Sequence, residues 1–447
     1  MDRRDFLKLA GSCGLMLGLD NRPAQSQNNF PGPFWVSIFA EGGWDPTCLF
    51  DPKGQPINSY GAGEIRQEGV FSYAPYKGPA RNVWNPVTQQ EDGQDFYDRF
   101  FQKYKNDLLI VRGIDMGTFS HETGRAYALA GNLGQSWPAF PAMAVACTRP
   151  DLPMAYMSQG NYPETGGLVA ATRIGSVQGF ITNLQRTSEP NLVHPGGNDR
   201  FMNDDLWNGI IRPAMNARTK NLSSSSSSTP QSRRASILHA VRTSPGSLGG
   251  LNQFLPEGGL TDWGNPLFAQ IELMTAAFKA GVAGGASVQL SSFDTHENHD
   301  QWHYPMCDDL LRAIDYLIHR LDLLGLREQV TIVVSSEFGR TPLYDNGSSG
   351  YNDKMGKDHH PISGMMLMGR GVKGGRLVGG TDDKVLPLKV NPATLALDDV
   401  DGIILRPEMI HLALRRFAGI ETNPLLNAFV LDAPLLPILE GANKGSS

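Results

Sequence analysis

Cysteine is scarce in this chain, four in 447 residues, and no two of them stand in CxxC or zinc-finger spacing. A disulfide framework and a cysteine-held metal cluster are therefore excluded. An excess of positive charge is missing too: 39 Lys and Arg face 45 Asp and Glu, for a formal net charge of −6. That removes the electrostatic footprint of a general nucleic-acid binder. Beyond the first 26 residues no apolar run approaches the roughly 20 residues that a membrane-spanning helix needs. There is no HExxH pair and no Walker A loop, and Gly369 to Gly375 lacks the spacing of a dinucleotide fingerprint. That glycine-rich stretch reads as a β-turn joining a strand through Gly364–Met368 to one through Arg376–Gly380. What the chain does have is a 40% hydrophobic fraction, 50 Gly and 30 Pro. Together these predict a real core threaded by many turns and long loops.

The first residues read as an address. Asp2-Arg3-Arg4-Asp5-Phe6-Leu7-Lys8 precedes an apolar run from Leu9 to Leu19, with small residues at Ala24 and Ser26. A charged start, a short apolar stretch and a small-residue cleavage site make an export signal, expected to end near Ser26. The Arg3-Arg4 pair makes it a twin-arginine leader, which carries proteins that fold before transport. The expected destination is the periplasm or the outside of the cell, and residues 27–447 form the mature chain. Within it, six consecutive serines (Ser223 to Ser228) lie in a polar stretch from about 196 to 247, read as an insertion.

Four short apolar runs read as buried strands: Phe34 to Ala40, Leu108 to Val111, Ser287 to Leu290 and Val330 to Val334. Their lack of polar alternation fits strands covered on both faces. Helical periodicity separates them, most clearly over Asp308 to Leu324, with Gly325 as its stop. Ile271 to Ala280 and Pro407 to Phe417 are further helices. Such alternation predicts an α/β fold with a central, mostly parallel sheet and helices on both faces.

In such a sheet ligands bind beyond the carboxyl ends of the strands. Each strand delivers polar residues there: Asp45 after the first, Ser120 and His121 after the second, Asp294 and His296 after the third, Glu337 and Arg340 after the fourth. Asp358-His359-His360 follows in a polar loop. Crowded carboxylates need a neutralising cation, and Asp, Glu and neutral His are ligands for Zn²⁺, Mg²⁺, Ca²⁺ or Mn²⁺. A hydroxyl beside such an ion is a candidate nucleophile for a phosphate or sulfate ester. Plainer readings stand beside these. Asp45 could be a turn or cap residue, Ser120 the cap of the following helix, and Arg340 either an anion clamp or an ion-pair partner. His299 and His303, four apart, fit a solvent-facing helix start as well as a ligand pair.

Several blocks resemble the DUF1501 family of exported bacterial proteins, within the alkaline phosphatase/sulfatase-like superfamily. They are the twin-arginine leader, Gly42-Gly43-Trp44-Asp45, Ser120-His121, Phe293-Asp294-Thr295-His296, Ser336-Glu337-Phe338-Gly339-Arg340-Thr341, Asp358-His359 and Val372-Lys373-Gly374-Gly375. The resemblance implies an alkaline-phosphatase-like fold with a two-metal site at the carboxyl edge. By position, Asp45, Asp294, His296, Glu337 and His359 would fall among the metal-site residues and Ser120 near the nucleophile, with Thr118 a substitute; the reading of the residues themselves adds Asp358 and His360 to the ligands and His121 and Arg340 to the catalytic groups. The resemblance implies a phosphate- or sulfate-ester substrate, a carbohydrate ester among the candidates. Two departures bear on this: Glu337 stands where Asp is usual, and Phe338 where a metal-binding His is usual. The alternative reading is therefore a non-catalytic binding or assembly protein on the same scaffold, with a protein partner.

Overall fold

The computed structural model describes residues 30–134, 136–185, 188–190, 198–200, 250–256, 260–345 and 355–440, with three isolated positions at 213, 214 and 217. The leader, the serine run and nearly all of the 196–247 stretch lie outside the described residues.

Eight strands make the central sheet: β1 (Phe34–Ala40), β2 (Leu109–Asp115), β3 (Tyr156–Gln159), β4 (Ala171–Arg173), β5 (Gly285–Leu290), β6 (Val330–Ser336), β7 (Ile362–Gly369) and β8 (Arg376–Gly379). Their spatial order is β8-β2-β7-β6-β1-β5-β3-β4. Every pairing is parallel except those of β7, which runs against both β6 and β2. The start of β7 therefore lies at the same edge as the ends of its neighbours, so the loop before it meets the loops after them.

Among the described residues seven helices flank this sheet: α1 (Tyr97–Tyr104), α2 (His121–Ala130), α3 (Phe140–Thr148), α4 (Val177–Gln185), α5 (Pro266–Lys279), α6 (His299–Leu324) and α7 (Pro407–Phe417). All of β1 is buried, and its side chains divide by the two-residue period of a strand. Phe34, Val36, Ile38 and Ala40 join an apolar cluster with Phe100 of α1, Ile271 of α5 and Ile314 of α6. Trp35 and Phe39 join another with Ala126 of α2, Met143 of α3 and Ile410 of α7. Each large side chain so buried contributes about 1.5–3 kcal/mol relative to exposure. The result is three layers, helices on both faces of a mostly parallel sheet, as the apolar runs predict.

One element differs in extent from the sequence expectations. Helix α6 starts at His299 rather than Asp308, with Pro305 inside it as its seventh residue, where the missing N–H costs one intrahelical hydrogen bond. Its end is as expected: Gly325 takes φ +66° and its N–H bonds to the carbonyls of the last turn. The glycine stretch 369–375 holds the expected β-turn, closed by the Val372 N–H on the Gly369 carbonyl at 3.1 Å, although β2 lies between β7 and β8 in the sheet. Finally, Cys48, Cys147 and Cys307 are all free. Among the described residues, no helix is long and apolar enough to cross a membrane.

Candidate functional site

The carboxyl edge gathers polar side chains into two separate groups, one open to solvent and one sealed. At the centre of the open group stands Asp294, its side chain 43% exposed. Its Oδ1 lies 2.9 Å from His296 Nε2, 3.1 Å from His359 Nε2 and 2.6 Å from Arg340 Nη2. Its Oδ2 is 3.6 Å from His121 Nε2. Close packing of main chain makes this convergence possible. Gly42 takes φ +116°, and a Cβ there would collide with the backbone nitrogen of Asp294.

Two of the imidazoles are oriented from behind. His121 Nδ1–H donates to Glu337 Oε1 at 2.9 Å, since a carboxylate can only accept. Glu337 is itself fully buried and also accepts the Gly42 N–H at 2.9 Å. His359 Nδ1–H donates to the Phe119 carbonyl at 3.0 Å. Each ring therefore turns Nε2, with its lone pair, towards Asp294. This is the arrangement that fixes metal-binding histidines in proteins. Burial of Asp294 works to raise its pKa, but His296, His359 and Arg340, all within hydrogen-bond distance, hold it well below the usual carboxylate range. The Glu337 hydrogen bond raises the pKa of His121.

The donor chemistry fits a divalent cation. His121, Asp294 and His359 each offer a ligand atom, and these atoms lie within 4.8 Å of one another; so do those of His296, Asp358 and His359. His296 Nε2 and His359 Nε2 are only 3.2 Å apart, and both face the same carboxylate oxygen. One proton can relieve one of these contacts. The other sets a lone pair against a carboxylate, a clash that a bound cation removes. Two imidazoles and a carboxylate suit zinc and other borderline divalent ions.

Other expected residues have different placements. Arg340 is fully buried and has no free face for a substrate anion. It donates to the carbonyls of Gly42, Gly43, Phe293 and Lys357 as well as to Asp294, tying the exits of β1, β5 and β6 together. Glu337 supports His121 from behind. Asp358 is largely exposed and accepts its neighbour's N–H. His360 turns away from the cluster and donates to the Val385 carbonyl at 3.0 Å. It lies beside His359 in a two-residue strand paired with Gly339–Arg340, and successive strand residues face opposite sides. Ser120 occupies the position before α2, exposed and without a side-chain bond capping the helix. Its N–H donates to Thr118 Oγ1.

Asp45 belongs to the sealed group with Cys48, Thr295, His299, His303 and Lys357, all buried. The solvent-facing reading of His299 and His303 is thus corrected: both are fully buried. Their hydrogen bonds close a ring. The Asp45 N–H donates to His303 Nε2 at 2.7 Å, so the His303 proton sits on Nδ1 and points to Thr295 Oγ1 at 3.1 Å. The Thr295 hydroxyl donates to His299 Nδ1 at 2.7 Å, and His299 Nε2–H donates to Asp45 Oδ2 at 3.2 Å. Burial lowers the pKa of both histidines, which agrees with neutral rings. Against the effect of its own burial, Lys357 and the histidines hold Asp45 well below the usual carboxylate range. Lys357 and Thr295 carry no sequence signal of this role, which tertiary packing creates.

A layered α/β chain with a carboxylate ringed by imidazoles beyond the carboxyl edge of its sheet belongs to the broad class that keeps its chemistry at that edge. The chain belongs to the family described as protein of unknown function (DUF1501), whose profile matches residues 35–396. No curated protein matches it. Similar solved structures include the lipoteichoic acid synthase LtaP from Listeria monocytogenes, with 8% identity over 91% of this chain and 81% of that one, at a TM-score of 0.33. Alkaline phosphatase from the Antarctic bacterium TAB5 matches at 10% identity over 76% and 92%, with a TM-score of 0.32. A Bacteroides thetaiotaomicron protein, from work on a core genetic locus for the metabolism of multiple glycosaminoglycans, matches at 10% identity over 87% and 73%, with a TM-score of 0.34.

Proposed function

We propose that this chain is an exported, metal-dependent hydrolase of phosphate or sulfate esters, carbohydrate esters among them. The observation that carries the reading is the convergence of three imidazole Nε2 atoms on Asp294, with two of the rings fixed from behind by Glu337 and the Phe119 carbonyl. Asp294, His121 and His359 would hold one divalent ion, with His296 and Asp358 beside it. Bound there, the ion supplies Lewis-acid polarisation of an ester oxygen.

The chain's own groups divide the remaining work. Ser120 presents an uncapped, exposed hydroxyl one residue before His121 and is the nucleophile in this reading. It stands at the positive end of α2, which favours an anionic ester at that point. Arg340 positions Asp294 rather than touching substrate. Export rests on the Arg3-Arg4 leader; replacing both arginines with lysine should strand the chain in the cytoplasm, as cell fractionation would show.

The decisive test compares wild type with Asp294→Asn and Ser120→Ala for metal content by mass spectrometry and for turnover of nitrophenyl phosphate and sulfate. Wild type should carry a divalent metal and turn over at least one ester. Asp294→Asn should lose both properties, and Ser120→Ala turnover only. Undiminished turnover in both variants would sink the assignment.

Two observations favour a second reading. Arg340 has no free face for a substrate, and the Phe338 ring lies tilted with its centroid 4.3 Å from that of His359, where the family resemblance expects another imidazole. A binding protein that keeps its metal but turns over no ester would show retained metal and no activity across the panel.

A further inference from the structure

The resemblance places a metal ion at Asp45, and the residues around Asp45 do not fit one. Its Oδ2 lies 2.7 Å from the ammonium of Lys357, whose side chain is fully buried. Its Oδ1 accepts the N–H and the hydroxyl of Thr47 at 2.9 and 2.7 Å. His299, the imidazole bonded to that carboxylate, spends its Nε2 proton on it and has no lone pair to offer there. Yet the ligand atoms are in place: an Asp45 oxygen, Cys48 Sγ and a His299 nitrogen lie within 4.8 Å of one another. Cys48 Sγ is 3.5 Å from Asp45 Oδ2 and 3.7 Å from His299 Nε2.

We infer that the Lys357 ammonium is a built-in cation occupying a second metal position, formed by Asp45, Cys48 and His299, so that this position takes no metal ion in the native chain. A fully buried carboxylate needs a paired positive charge, and here the chain supplies it covalently. Main-chain contact holds the ammonium in place. A Cβ at Gly356 would collide with the His296 carbonyl, so the segment before Lys357 lies directly against the chain between Asp294 and α6. The Lys357 N–H bonds to the Thr295 carbonyl, and the Arg340 guanidinium bonds to the Lys357 carbonyl. A neutral side chain at 357 would remove the competing charge. His299 could then move its proton from Nε2 to Nδ1, where Thr295 Oγ1 can accept it, and Cys48 could release its proton to solvent as a metal enters.

The test is Lys357→Met beside wild type and Lys357→Arg, with zinc and cobalt as probes. Lys357→Met should bind one more equivalent of zinc per chain than wild type and should melt higher when zinc is added. With cobalt it should show thiolate-to-metal charge-transfer absorption that disappears in Lys357→Met/Cys48→Ser. Lys357→Arg, which keeps a positive charge, should match wild type. If Lys357→Met is insoluble as expressed, recovery of soluble protein by zinc in the medium supports the inference. Recovery only by the added change Asp45→Asn, indifferent to zinc, overturns it. So does a folded Lys357→Met with the wild-type metal count and no thermal response to zinc. The readout is a difference between variant and wild type, so it stands apart from whether the Asp294 cluster turns over any ester.

Discussion

The imidazoles of the open cluster depend on atoms that never touch a ligand. Glu337 illustrates this: fully buried, it fixes both the tautomer and the direction of His121. Glu337→Gln should therefore weaken metal binding by about 10–100-fold, the usual cost of losing such a partner, while leaving the chain folded. Titration with zinc in the presence of a competing chelator would measure it, and unchanged affinity would show that His121 needs no support. His359 and His360 show the limit of reading residues from sequence. Adjacent in the chain, they invite a joint role, yet strand geometry sends one to the cluster and the other to Val385. His299 and His303 show the reverse. Their spacing is visible in the sequence, but burial and a shared partner at Thr295 come only from packing.

Two short segments feed both polar groups. In Phe293-Asp294-Thr295-His296, Asp294 and His296 serve the open cluster while Thr295 bridges the two sealed histidines. In Lys357-Asp358-His359, the lysine faces inward and the histidine outward. The two segments touch at Gly356, so Gly356→Ala should disturb both groups together. We expect a destabilisation of about 1–3 kcal/mol from overpacking, with a parallel loss of metal affinity. Urea unfolding and zinc titration of the same preparation would check the pairing, and loss of stability alone would argue against a shared support. At this scale much was legible in the sequence. β1, β5 and β6 announce themselves as apolar runs, and α7 matches its expected span at Pro407–Phe417. By contrast, β3 (YMSQ) and β4 (ATR) are short, and their polar side chains hide them from a search for apolar runs. The glycine stretch after β7 holds the turn it reads as, though nothing local reveals that β2 intervenes between the strands it joins.

Acid should weaken the whole molecule well before its carboxylates protonate. His411 of α7 is buried, donates to the Ala128 carbonyl, and has its pKa pushed down by burial to about 4. Unfolded, a histidine titrates near 6.5. Between those values the unfolded chain binds more protons, so stability falls as pH drops from about 6.5 towards 4. The loss from His411 alone reaches about 3 kcal/mol. His299 and His303, also lowered by burial, act in the same direction. His121, raised by Glu337, acts oppositely, but its exposure keeps that effect small. Metal-stripped protein should melt lower at pH 5 than at pH 7, and His411→Gln should flatten that slope. A flat profile in wild type would mean that these rings are not neutral in the folded state. The direction of β7 has a further consequence, in the time course of synthesis. Because β7 fits between β2 and β6 and His359 sits just before it, the sheet has a gap, and the open cluster lacks one of its imidazoles, until just over four-fifths of the chain has been made. A growing chain can bury one half of the sheet before the other is made, but the proposed metal site is complete only once His359 has been added. Loading of the proposed ion would thus follow synthesis of β7, in keeping with the twin-arginine leader read from the sequence.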